Sequence, residues 1–308
     1  MVRLPRCLSA EFSRVLGTVI ADRLPTREAR PWRKALAPWE EYLQAEKGQR
    51  LSPVPDVAWP IKAMLFVHPG KLTYGEGESI LWELALLGES ADHGRFLEII
   101  LPAMEQAATT TDPRWYRQNN LWGRFDIQAV YVARGRQWEP IVQVGQLDLR
   151  YRATTTQWAE GLAFEAPPDR IFDHLTWITP FDFGSHDSKG RRRKRIPARQ
   201  VPTLQHILEA LVDRMSTFLP GKYNTAADVR DSLDEAERTS LQAALEQAAL
   251  IPVHHHDLKP APRNCPGRWI GTQTFPSIPT PIIPYLELAA ILHVGKQTHF
   301  GCGTFTIG

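Results

Sequence analysis

The residues best equipped for chemistry lie in the segment His293-Val-Gly-Lys-Gln-Thr-His-Phe-Gly-Cys-Gly-Thr-Phe-Thr-Ile-Gly308. Gly295, Gly301, Gly303 and Gly308 share it with Lys296 and with two imidazoles, His293 and His299. Glycines at this density let a backbone turn through positive φ and approach a ligand closely, and the basic neighbours suit the loop to phosphate. A nucleotide-binding P-loop would need GxxxxGK[ST] between a strand and a helix. Here Thr304-Phe-Thr-Ile307 alternates like a strand instead of opening a helix, so the P-loop reading fails.

Cationic residues are concentrated elsewhere too. Lys189, Arg191, Arg192, Arg193, Lys194 and Arg195 fall within seven consecutive positions, with Arg199 beyond them, and such a run attracts a polyanion and loosens with salt. Inside a domain it points to nucleic acid; as a solvated loop it would have no partner. The proline-punctuated stretch from Pro25 to Pro55 has Arg27, Arg30, Arg33 and Lys34 close to Arg23, with Trp32 and Trp39 interleaved. Arginine can bind phosphate and indole can stack on a base, or the stretch is a polar loop whose tryptophans pack back on their domain. The formal net charge of +2 would not indicate nucleic acid by itself, so the argument rests on distribution.

His254-His-His256-Asp257 offers imidazole and carboxylate ligands, but adjacent strand residues point to opposite faces and one site would capture only two of the histidines. No metal or other cofactor is expected. Cys7, Cys265 and Cys302 share no CxxC spacing, which indicates neither a disulfide framework nor a zinc knuckle and fits a reducing cytoplasm. The longest apolar runs fall far short of a membrane span, and Arg3, Arg6, Glu11 and Arg14 interrupt any secretory core at the N-terminal end.

From Leu292 to Phe305 the sequence resembles the C-terminal glycine-rich loop of the RAMP superfamily, in particular the CRISPR-associated endoribonucleases that process precursor crRNA (the Cas six family), whose pattern runs LHVGKxTxFGxGxF. Pro60 to Val67 and Glu78 to Gly88 resemble the central region of the same family. The resemblance implies an α+β protein of two tandem ferredoxin-like (RRM-like) domains, the second carrying a helical hairpin and the glycine-rich loop.

The elements that must position these residues agree in kind. Apolar spacing predicts a helix over Leu8 to Leu24, strands over Ile61 to Val67 and Ser79 to Leu87 joined by a turn at Gly75 to Gly77, a helix from about Asp92 to Gln106, and strands at Arg124 to Val132 and Pro140 to Leu149. Leu4-Pro5 leaves little room for a strand before the first helix. An irregular linker from Tyr151 to Pro168 places the boundary between residues 1–165 and 166–308. The second domain opens on a strand between Arg170 and Phe183, continues through the helical hairpin over about 203–250, and reaches the glycine-rich loop at 293–303 by way of a strand at Gly267 to Phe275 and a short helix or strand at Tyr285 to Leu292.

The family's chemistry is attack by the RNA's own 2′-hydroxyl on the adjacent phosphorus, leaving a 2′,3′-cyclic phosphate, without a bound metal. The expected substrate is a CRISPR repeat stem-loop cut at its 3′ base, the expected partners are crRNA and other effector-complex subunits, and a divergent type IV member would suit the pattern. Many relatives place a catalytic histidine near the first helix, yet no histidine precedes His68 here. Either the base is His293, His299 or His68, or arginines such as Arg23, Arg30 and Arg33 do the work by positioning and charge stabilisation. Lys296, Gly295, Gly301, Gly303, Lys34 and the basic run would bind RNA, with Arg214, Arg230 and Arg238 reaching it from the helical hairpin. The competing class is a RAMP subunit that binds crRNA without cutting it.

Overall fold

The computed structural model describes residues 1–4, 8–45, 59–68, 70–112, 121–160, 171–184, 201–221, 223–262 and 265–308. Its mixed α+β chain divides into two compact units, one built from Met1–Gln44 and Val57–Ala163, the other containing Phe164–Gly308. Among the described residues no helix is long and apolar enough to cross a membrane.

In the first unit a two-residue strand, β1 (Val2–Arg3), precedes α1 (Leu8–Arg23) and α2 (Thr26–Ala45). There follow β2 (Ala63–Val67), β3 (Thr73–Tyr74), β4 (Trp82–Leu86), α3 (His93–Arg95), α4 (Leu101–Thr109), β5 (Ala129–Arg134), β6 (Gln137–Gln143) and β7 (Gln146–Leu147). β1 pairs with β3 and β2 with β4, each antiparallel, and β5-β6-β7 form a third sheet. Phe12, Val15, Leu16, Val19 and Ile20 give α1 a continuous apolar face. That face packs on β2 and α4 around Trp122, whose indole lies 5.0 Å from Phe12 and donates to Glu11 Oε1 at 3.3 Å. Phe96–Ile100 between α3 and α4 winds as a π turn closed by Leu101 N–H on the Phe96 carbonyl. Pro102 has no N–H to offer Glu98, which accounts for the widening.

The little room before α1 holds a strand of two residues, for which β3 supplies the partner. One expectation changes here. The stretch from Pro25, read as a polar loop, is helical as far as Ala45 despite Pro31 and Pro38. Ala29, Trp32, Ala35 and Leu36 are buried at helical spacing, and this packing offsets the backbone bonds each proline removes.

In the second unit β8 (His174–Trp177) is followed by α5 (Leu204–Ser216), α6 (Ala226–Ser232), α7 (Glu235–Ala249), β9 (His255–His256), β10 (Lys259–Pro260), β11 (Trp269–Ile270), β12 (Thr272–Thr274), α8 (Ile283–Leu292) and β13 (Phe305–Ile307). The sheet order is β13-β8-β12-β9, with every pairing antiparallel. Leu204, Ile207, Leu208 and Leu211 are fully buried, and α5 packs on α6, α7 and α8. The expected hairpin is thus three helices: Leu233 leaves helical geometry after α6, and Asp234 caps α7 by accepting from Glu237 N–H. Gln273, buried in β12, accepts from Trp177 Nε1 at 2.8 Å and donates to the Pro202 carbonyl at 2.7 Å, so this core polar group is satisfied from both sides. Cys302 is a buried free thiol.

Candidate functional site

The glycine-rich segment is a loop held between the chain leaving β8 and the turn before β11. α8 stops at His293, which takes φ 56°. Val294 N–H donates to the Gly303 carbonyl at 3.0 Å, and Gly303 N–H donates to the Pro180 carbonyl at 3.0 Å. Lys296 N–H reaches the Asp182 carbonyl at 2.8 Å, and Gln297 Oε1 accepts Gly267 N–H at 2.6 Å. Thr304 closes the loop, its hydroxyl on the Ala290 carbonyl and its N–H on Thr179 Oγ1.

Glycine is required at two points for closeness to the protein's own backbone. A Cβ on Gly295, at φ 90°, would stand 2.7 Å from the Asp182 carbonyl oxygen, and one on Gly303, at φ 85°, 1.9 Å from that of Val294. Gly301, at φ 77°, closes the short turn Thr298–Phe300. What the loop presents outward is Lys296, which is exposed, and Arg268 Nε lies 3.7 Å from Asp182 Oδ2. Arg268 and Asp182 escaped the sequence reading because neither sits in a motif.

His293 and His299 face inward. His293 Nδ1 donates to the Cys302 carbonyl at 3.2 Å, and burial, reinforced by the Arg214 charge, pushes the imidazole down to about 4. His299 packs its ring 3.8 Å from Phe300. Arg214 lies largely within the fold, donating from Nε to the Leu292 carbonyl at 3.2 Å and resting on the Phe218 ring, and desolvation lowers its guanidinium to about 10. Arg238 spends its guanidinium on the Arg230 and Leu233 carbonyls at the end of α6, while the Arg230 side chain is exposed. The basic run Lys189, Arg191, Arg192, Arg193, Lys194, Arg195 and Arg199 lies outside the described residues.

In the first unit Arg23 ends α1 and donates to Gln106 Oε1 at 3.2 Å. Arg27, Arg30, Arg33 and Lys34 are exposed at three- and four-residue intervals on α2, a cationic stripe that the helix organises. Trp32 is turned away from it, buried against Trp59 with 5.3 Å between rings, so it packs back on its domain. His68, just beyond β2, has its Nε2 2.5 Å from Glu83 Oε1 in β4, with both side chains partly exposed. The sequence reading had His68 and missed Glu83, whose partnership follows from the β2–β4 register. His255 and His256 lie in β9, and among the described residues no group of three or more His, Cys, Asp or Glu side chains is placed to hold a metal.

Residues 175–305 match the family model described as CRISPR-associated endoribonuclease Cas6. No curated protein matches the sequence. Among solved structures, a Cas6 product complex is 15% identical, with 96% of this chain and 94% of that one covered and a TM-score of 0.40. Thermus thermophilus Cas6 is 19% identical over 46% of this chain and 55% of its own, with a TM-score of 0.28. A partial Cas6-RT-Cas1–Cas2 complex is 17% identical over 80% of this chain and 38% of that one, with a TM-score of 0.43.

Proposed function

We propose, from the match of residues 175–305 to the family model described as CRISPR-associated endoribonuclease Cas6, that this protein is a CRISPR RNA-processing endoribonuclease of two tandem ferredoxin-like domains that divide near residues 165 and 166. It binds the repeat stem-loop of precursor crRNA, cuts at the 3′ base, and retains the product for other CRISPR effector subunits. The observation that carries this reading is the closed loop 293–303 inside the matched segment, stitched to the Pro180–Asp182 backbone and presenting Lys296 outward.

In the proposed reaction the 2′-hydroxyl loses its proton to a base and attacks the adjacent phosphorus. The 5′ oxygen of the next nucleotide leaves and takes up a proton, giving a 2′,3′-cyclic phosphate and a 5′-hydroxyl. Arg23, Arg30 and Arg33 supply positive charge for the phosphorane, and as permanent cations they cannot act as the base. Of the three candidate histidines, His68 is the one that combines partial exposure with an orienting carboxylate, the arrangement a general base needs. His293 and His299 shape the loop from within.

The burial of His293 and His299 favours a second reading, a crRNA-binding subunit that does not cut. One experiment separates the two: a labelled repeat RNA is incubated with the protein in EDTA beside a copy carrying a 2′-deoxy substitution at the cut position. Cleavage of the unmodified RNA, with the deoxy copy bound but intact, establishes the endoribonuclease; binding of both without cleavage establishes the subunit.

A further inference from the structure

The outer face of the β5–β6 hairpin carries large aromatic groups that no core absorbs. Tyr131 stands opposite Pro140, and Ala133 opposite Trp138, in an antiparallel ladder. Tyr131 is 47% exposed and Trp138 55%. Val130, Val132, Ile141 and Val142 supply the hydrophobic content that packs on Leu101 and Phe96, so the sheet has one covered face and one open aromatic face. Tyr131 and Trp138 occupy diagonal cross-strand positions, about 7–8 Å apart in such a ladder. Trp158, also exposed, follows Gln157, which fastens itself to the edge of β5 through the Ala133 carbonyl and Gly135 N–H.

The charge around this face is arranged for an anion. Arg136, at the turn between the strands, is exposed and makes no ion pair or side-chain hydrogen bond among the described residues. The carboxylates nearby are engaged: Glu139 accepts from Arg134 Nε at 2.7 Å and from the Tyr151 hydroxyl at 2.6 Å, and Glu160 accepts from Arg134 Nη1 at 2.6 Å. Two exposed rings at a spacing that takes two splayed bases, with a guanidinium at the end of the row for a phosphate, form a stacking platform for single-stranded nucleic acid.

We propose that the β5–β6 face, through Tyr131, Trp138 and Arg136, binds single-stranded RNA flanking the repeat stem-loop, a site separate from the glycine-rich loop. Stacking tolerates any base, so this contact holds RNA without reading its sequence. The proposal rests on the reading of the protein as an RNA-processing enzyme only for the identity of the strand.

The test measures affinity of the full chain at physiological salt for two RNAs, the bare repeat stem-loop and an oligouridine of about ten nucleotides, within the site sizes of stacking surfaces. Tyr131→Ala with Trp138→Ala is expected to weaken oligouridine binding about tenfold or more while leaving stem-loop binding unchanged. Tyr131→Phe with Trp138→Phe restores oligouridine binding to near the wild-type value. Equal oligouridine affinity in the wild-type and double-alanine proteins, or no oligouridine binding by either, overturns the platform. If the double-alanine variant instead loses a concentration-dependent self-association and keeps its RNA affinity, the face is a protein contact and the proposal falls. Failure of the wild type to bind the stem-loop counts against the proposed function and leaves the oligouridine comparison readable.

Discussion

Gly303 lies so close to Val294 that a Cβ built on it would stand 1.9 Å from the Val294 carbonyl oxygen. The contact is backbone against backbone, so no side chain can swing aside, and φ 85° adds the strain of a left-handed alanine. Gly303→Ala is therefore expected to cost about 2 kcal/mol or more in stability, and to weaken repeat RNA binding as the loop opens. Thermal unfolding of the variant beside the wild type checks this. Gly77, with φ 77° and nothing within 4 Å of the added atom, is the control, where replacement by alanine costs backbone strain alone.

His293 gives the second unit a dependence on acid. Its imidazole is held near 4 in the folded protein, below the ordinary value of 6.5, so the folded state prefers it neutral. The unfolded chain binds the proton more readily. The stabilisation is complete above pH 6.5 and is lost as pH falls from there toward 4, by up to about 3 kcal/mol. Denaturant titrations across that range are expected to show the loss in the wild type and to show less of it in His293→Asn. Arg214→Met removes a charge that opposes protonation, so it raises the imidazole's value and narrows the acid-sensitive window.

Trp32 separates packing from stacking. Its side chain is buried against Trp59, so Trp32→Ala is expected to destabilise the first unit by about 3–5 kcal/mol. Trp32→Phe recovers most of the stability. If Trp32→Phe instead keeps the melting temperature and loses RNA affinity, the ring has a role at the RNA that its burial does not suggest.

Lys296 is exposed on the loop; its N–H is committed to Asp182, and among the described residues its side chain makes no hydrogen bond or ion pair. Lys296→Ala is expected to leave the melting temperature within a degree or so and to reduce the slope of log affinity against log salt by about 1. An unchanged salt slope would mean that the ammonium meets no phosphate.

The elements legible in the sequence are those whose own pattern dictates them. The stripe Leu204, Ile207, Leu208, Leu211 announced α5, and the density of glycine between Gly295 and Gly303 announced a loop with left-handed turns. Composition hid α2, since Pro31, Pro38 and five nearby cations mask Ala29, Trp32, Ala35 and Leu36, which are apolar at helical spacing and meet their partners only after folding. The inward turn of His293 was hidden for a related reason. A histidine beside glycine and lysine reads as a site, and its burial, with Arg214 brought near from a distant part of the sequence, emerges only on folding. Glu83 acquires meaning only through strand register, which no local window contains.

The His68–Glu83 pair carries the most direct catalytic prediction. Nε2 and Oε1 are 2.5 Å apart, and both side chains are open enough to meet a substrate. A carboxylate on one ring nitrogen fixes the ring's orientation and stabilises the imidazolium formed when the other nitrogen takes a proton. His68→Ala is expected to reduce single-turnover cleavage of the repeat RNA by about 10²–10⁴-fold with binding unchanged, and added imidazole restores part of the rate. Glu83→Gln keeps the shape and removes the charge. It should slow cleavage less than His68→Ala, because the imidazole stays in place and loses only its orienting charge. Cleavage at the wild-type rate by His68→Ala would remove this pair from the reaction and return the search for the base to groups outside it.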